Sequence, residues 1–155
     1  MGFQSVTSAV NLILPEVVLI TTMCVMFLSA PFLVSESGVA APGIRHRWGV
    51  LSLFAISVAI WFWLTTPLAP INDGPFRLDG LVSYIRGATL VFGAIISLML
   101  WSQVEDAKSA ECQALLLAIL AGVNFTVAAN DLIVLFLGLE LVSIPTYVLL
   151  ALPRR

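Results

Sequence analysis

The sequence predicts an all-α, polytopic integral membrane protein with about five transmembrane helices. Three observations predict it. Hydrophobic residues make up 60% of the chain and charged residues only 10%, whereas a soluble domain carries roughly 25% charged residues. The mean hydropathy is +1.06. Apolar windows of about twenty residues, the length needed to cross the hydrocarbon core, recur between short breaks rich in Pro, Gly and charge.

The first helix is expected over 15–34. Pro15 suits a first helical position, and Glu16 beside it would complement the positive end of the helix dipole. The second is expected over 48–66, before Pro67, with Trp48, Trp61 and Trp63 as interface anchors. The third is expected over 81–101, the fourth over 112–129 and the fifth over 131–152. Residues 35–47 and 67–80 carry the helix breakers of two connections, and Glu105, Asp106, Lys108 and Glu111 mark a third. The last connection is only Asn130 and its neighbours, so helices four and five should be antiparallel neighbours.

Lys and Arg in short loops set orientation. With the N-terminus outside, the inner side receives Arg45, Arg47, Lys108, Arg154 and Arg155. The outer side receives Arg77, with Arg86 just inside helix three. The expected topology is N-terminus out and C-terminus cytoplasmic, in the inner (plasma) membrane if the chain is bacterial. The N-terminus lacks the basic start of a signal peptide. No basic run is interleaved with aromatics, which excludes a nucleic-acid partner. Cys24 and Cys112 read as packing residues. His46, between Arg45 and Arg47, reads as a solvated loop residue rather than a metal ligand. No phosphate-binding loop, HExxH or nucleophile–base pattern is present, so no metal or cofactor site and no self-contained active site is expected.

Glu140 is the polar residue that demands explanation. It sits near the middle of DLIVLFLGLELVSIPTYVLLAL, where a carboxylate costs at least several kcal/mol unless it is paired, protonated or facing water. Ion or proton handling is one reading; a neutral acid bonded to a neighbouring helix is the other. Ser143 and Tyr147 follow at i+3 and i+7 on the same face. Pro145 cannot donate to the Leu141 carbonyl, which frees an acceptor beside the Glu. Arg86 lies near one end of its helix and is expected to snorkel rather than to reach Glu140. Ala114, Ala118, Gly122, Thr126 and Asn130 recur at i+4 and predict a packing stripe. Asn124, on another face, is expected to bond a neighbouring helix. Asp79 reads as a cap at the mouth of helix three.

The run NFTVAANDLIVLFLGLELVSIPTYVLLALPRR, 124–155, resembles the fourth and fifth helices of one family. This is subunit N, or subunit 2, of the proton-pumping NADH–quinone oxidoreductase, respiratory complex I. Gly138, Leu139, Glu140, Leu141, Ser143, Tyr147 and Leu149 match its GLEL-x-S-x-x-x-Y-x-L segment. The stretch 76–96 with Asp79 is similar to its third helix, and Pro15–Glu16 to its first. Subunits L and M and cation/proton antiporter subunits share the helix-five Glu with other flanks.

The resemblance implies the N-terminal part of an antiporter-like fold of about fourteen helices in two inverted repeats. It implies a non-redox membrane-arm subunit that takes part in proton translocation coupled to quinone reduction, with Glu140 in the proton path. In the family this Glu pairs with a Lys on a broken helix seven. NADH, flavin, iron–sulfur clusters and quinone would bind other subunits, and the partners would be other membrane subunits and the lipid bilayer. The sequence stops at Arg155, before the family's Lys-bearing helices, so a truncated fragment is expected. The competing readings are a cation/proton antiporter subunit and a non-conducting structural membrane module.

Overall fold

The structure is a computed structural model and describes residues 2–33, 43–66 and 75–152. Parts of the expected loops 35–47 and 67–80, and Arg154 and Arg155, lie outside the described residues. Among the described residues there are five long helices and no strands: α1 (Gly2–Leu33), α2 (Ile44–Thr65), α3 (Gly80–Gln103), α4 (Ser109–Ala128) and α5 (Leu132–Ala151). Each is long and apolar enough to cross a membrane, and the chain is a multi-pass membrane protein.

Several local expectations change. Pro15 is not at a helix start, because α1 begins at Gly2 and carries Pro15 and Pro31 inside it. An interior Pro is tolerated in a membrane helix where nearby polar groups satisfy the loosened turn. Glu16 therefore lies well inside α1, away from any dipole end. Helix α2 starts at Ile44, after Gly43 in the left-handed region (φ 79°). That start puts Arg45, His46 and Arg47 in its first turn rather than in a loop. The exposed His46 ring meets Trp101 edge-on at 4.7 Å. Of the three tryptophans expected at the interface, only Trp61 stays outward. Trp48 is buried. Trp63 lies against Gly87, where any Cβ would collide with its ring, and its Nε1 donates to Ser83 O at 3.0 Å.

Helix α4 is the axis of the bundle and packs against the other four helices. Two thirds of its span (67%) is buried, against 11% for α5. Position explains the difference, since α4 touches all four other helices and α5 touches α4 alone; at their contact small residues allow the close van der Waals packing that joins helices in lipid. A Cβ on Gly122 would come within 2.9 Å of the Leu141 carbonyl carbon and the Val142 nitrogen, and one on Gly138 within 2.8 Å of Thr126 N. The pairs 122–142 and 126–138 make α4 and α5 the expected antiparallel neighbours.

Two further devices fix the frame. Asp79 caps α3, accepting from Val82 N at 2.9 Å, as expected of it, and Arg77 pairs with its other oxygen at 3.0 Å. Arg77 N donates to Ala128 O at 2.8 Å and Asn130 N to Pro75 O at 2.9 Å, which ties the entry to α3 to the α4–α5 turn.

Candidate functional site

The bundle holds three intramembrane polar groupings. The first is self-sufficient. Ser52 (α2), Ser97 (α3) and Gln113 (α4) are buried. The two hydroxyls are 2.6 Å apart and each lies 2.9 Å from Gln113 Oε1. Gln113 Nε2 donates to Ser97 O at 3.1 Å. Every polar atom has a partner, so the clasp orders three helices at little desolvation cost.

The second surrounds Glu140. The face of α5 that meets α4 is set by Gly138 and by Leu141 and Val142. Glu140 is two residues from Gly138, about 200° around the helix, so it points off that face. It is half-buried and makes no hydrogen bond or ion pair among the described residues. Ser143, on the same side, donates to its own Leu139 O at 2.8 Å. Tyr147 is 69% exposed. The three share one flank of the helix, but the fold does not join them into a bonded relay.

The third was not expected. Arg86 does not snorkel: its side chain is 2% exposed and turned into the bundle. Its Nη2 donates to Glu16 Oε1 at 2.6 Å and to Leu12 O at 2.7 Å, and its Nε reaches the same carboxylate oxygen at 3.2 Å. The reason is depth. Helices α1 and α3 run the same way, and Leu12 and Val82, one turn before Glu16 and Arg86, share one buried cluster, which sets the two charged residues level. A guanidinium level with a buried carboxylate gains more by pairing than by reaching for the surface.

Asn124, fully buried on α4, completes the group. It lies near enough to act on the Glu16 carboxylate, yet neither Asn124 Oδ1 nor Nδ2, nor Glu16 Oε2, has a hydrogen-bond partner among the described residues. Asn124 was expected to bond a neighbouring helix, and its amide stands beside Glu16 of α1. Apolar residues lie one turn from the group in both directions. Leu12, Leu78, Val82 and Ala128 form a buried cluster one turn away. Leu19, Leu90 and Leu120 lie about one turn away in the other direction. Leaving a buried polar atom unmet costs about 1–3 kcal/mol.

The register 122–142 and 126–138 puts Asn124 close to the level of Glu140, on the opposite side of α4. The two carboxylates thus occupy similar depths and face different ways, Glu16 into the five helices and Glu140 out of them.

The comparisons with known proteins agree on one likeness. The chain is similar to NADH-quinone oxidoreductase subunit N of Rhodospirillum rubrum, 32% identical over 144 residues, 91% of this chain and 29% of the relative. It is 30% identical over 158 residues to NADH-quinone oxidoreductase subunit N of Rhizorhabdus wittichii, 98% of this chain and 31% of the relative. NAD(P)H-quinone oxidoreductase subunit 2 of Nostoc punctiforme is 29% identical over 163 aligned positions, covering 100% of this chain and 29% of the relative. The chain spans less than a third of the length of these relatives. No family model matches, and no solved structure matches.

Proposed function

On the premise that the chain is a homologue of NADH-quinone oxidoreductase subunit N along nearly its whole length, we propose that it forms part of the membrane arm of such a complex. In this reading it takes part in proton translocation coupled to quinone reduction, and Glu140 is a proton-path residue. One observation carries the reading. Glu140 stands at mid-span on the flank of α5 turned away from the described bundle, without a partner there. A carboxylate is held at that depth when a cation, a protonation step or water meets it. The partner then comes from outside these five helices, from further chain or a neighbouring subunit.

In this assignment the helices contribute no redox chemistry. NADH, flavin, iron–sulfur clusters and quinone belong to other subunits, and this chain packs against other membrane subunits and lipid. The N-terminus lies outside and the C-terminus in the cytoplasm. Ser143 and Tyr147 line the approach to Glu140. Glu140→Gln in the complete complex tests the reading. Proton pumping driven by NADH oxidation should fall several-fold while the complex still assembles. Unchanged pumping in the assembled variant would remove Glu140 from the path.

A further inference from the structure

We infer that the groove between the ends of α3 and α5 binds a zwitterionic aminophospholipid, with acyl chain against its aliphatic walls and phosphate and ammonium at its mouth. The inference goes beyond the role proposed for Glu140 and stands without it.

The groove follows from the packing. Helices α3 and α5 both rest on α4 and do not touch each other. At the end where α4 begins, the space left between them is a cavity of about 730 Å³, within the roughly 300–1,000 Å³ of ligand sites. Cys112, in the first turn of α4, lines it, and Leu100, Leu149 and Leu150, from the last turns of α3 and α5, form its walls. Glu105 and Lys108 line the same cavity from the connection beyond the helix ends. Lys108 N donates to Glu105 O at 3.1 Å, which holds the two residues in one turn. The groove is thus aliphatic where it enters the span and carries both signs of charge where it leaves it. A phospholipid at the membrane boundary has the same order along its length.

The headgroup follows from the signs. Lys108 and the Gln103 carboxamide, also at the mouth, donate to a phosphate. Glu105 then selects an ammonium, whereas a purely anionic headgroup would set its charge against a carboxylate. A further helix seated in the groove would lay side chains against both charges and strip them of water, a desolvation cost that a charged headgroup offsets.

The test uses the complete complex, purified through a tag on this subunit. It is reconstituted in vesicles of phosphatidylethanolamine and phosphatidylglycerol with a trace of phosphatidylethanolamine carrying a diazirine on one acyl chain. After photolysis, labelled residues are mapped by mass spectrometry. Label should appear at 100–104 and 149–152. Added phosphatidylethanolamine should displace it several-fold more effectively than added phosphatidylglycerol; bulk lipid contact would yield to both alike. Glu105→Gln, an exposed change, should erase that difference. Leu149→Trp, which fills the groove, should lower the label on Leu100 several-fold. The inference is overturned if the wild-type groove takes no label, as it would with further protein seated there, or if the two lipids compete equally. Where Leu149→Trp does not assemble, the wild-type competition decides.

Discussion

Glu16 is 2% exposed and gives one oxygen to the Arg86 guanidinium at 2.6 Å. Glu140, at a similar depth on the other side of α4, is half-buried and has no partner among the described residues. The contrast follows from the cost of charge in a low-dielectric medium. A carboxylate can be enclosed only where the fold brings its counter-charge along, and Glu16 is enclosed because α3 delivers Arg86 at the same level. One without a built-in partner stays on a flank where something else can reach it. Burial therefore marks a charge whose account is closed within these five helices, and exposure at depth marks one that is open.

The sharpest way to break the comparison is to remove the counter-charge. Arg86→Leu should leave Glu16 buried and uncompensated, at a cost of about 3–5 kcal/mol. The subunit should then fail to accumulate in the membrane, as read by quantitative immunoblot of the membrane fraction. The double variant Glu16→Leu with Arg86→Leu should recover much of that loss, because an apolar pair of similar volume replaces a buried ion pair at little net cost. If the double variant accumulates no better than Arg86→Leu alone, the pair is not what makes the single change harmful. Glu140→Gln, by contrast, removes no described contact and keeps a hydrogen-bonding side chain for any outside partner, so accumulation should stay unchanged.

A second change sharpens the contrast by moving Glu140 without touching it. Gly138→Val adds bulk where a bare Cβ already lies 2.8 Å from Thr126 N. Overpacking of this kind costs about 1–3 kcal/mol. It should push α5 off α4 and lower both assembly and pumping, whereas Gly80→Ala, where a Cβ meets nothing within 4 Å, should do neither. Equal effects from the two would show that the α4–α5 approach is not close-packed.

Much of this was legible in the sequence, and what was missed has a common cause. Five apolar windows read as five helices because span length is a local property. Glu140 was conspicuous because nothing within its own helix balances it. The short Asn130 connection announced α4 and α5 as neighbours, and the stripe of Gly122 and Thr126 gave their contact face. The Glu16–Arg86 pair was invisible to local reading. The residues are seventy positions apart, and each had a bland explanation near its own helix end: a dipole partner for Glu16, a snorkelling side chain for Arg86. Odd-numbered spans run the same way, so Glu16 and Arg86 enter from the same side of the membrane. The expected starts at 15 and 81, however, put them one and five residues inside, and only the true start of α1, at Gly2, lets Glu16 lie deep enough to meet Arg86. Trp48 and Trp63 were misjudged for a related reason. Their inward placement depends on close helix approach, as at Gly87 beside Trp63, which is legible only once the helices are paired.

The smallest expected effect comes from the exposed counterpart of the buried pair. Arg45 and Asp106 approach to 3.4 Å, but their side chains are 41% and 43% exposed. Water screens the attraction, and both side chains lose freedom by holding one geometry, so pairs of this kind contribute about 0–1 kcal/mol. Arg45 also donates to Val104 O at 3.3 Å, a contact that does not need Asp106. Asp106→Asn should therefore leave the thermal melting of the detergent-solubilised assembly almost unshifted, and raising salt should not separate the variant from wild type. A loss approaching that of Arg86→Leu would mean that the α2–α3 edge is shielded from water in the assembled protein. Glu16 and Arg86 would then no longer be the only ion pair among the described residues whose strength comes from enclosure.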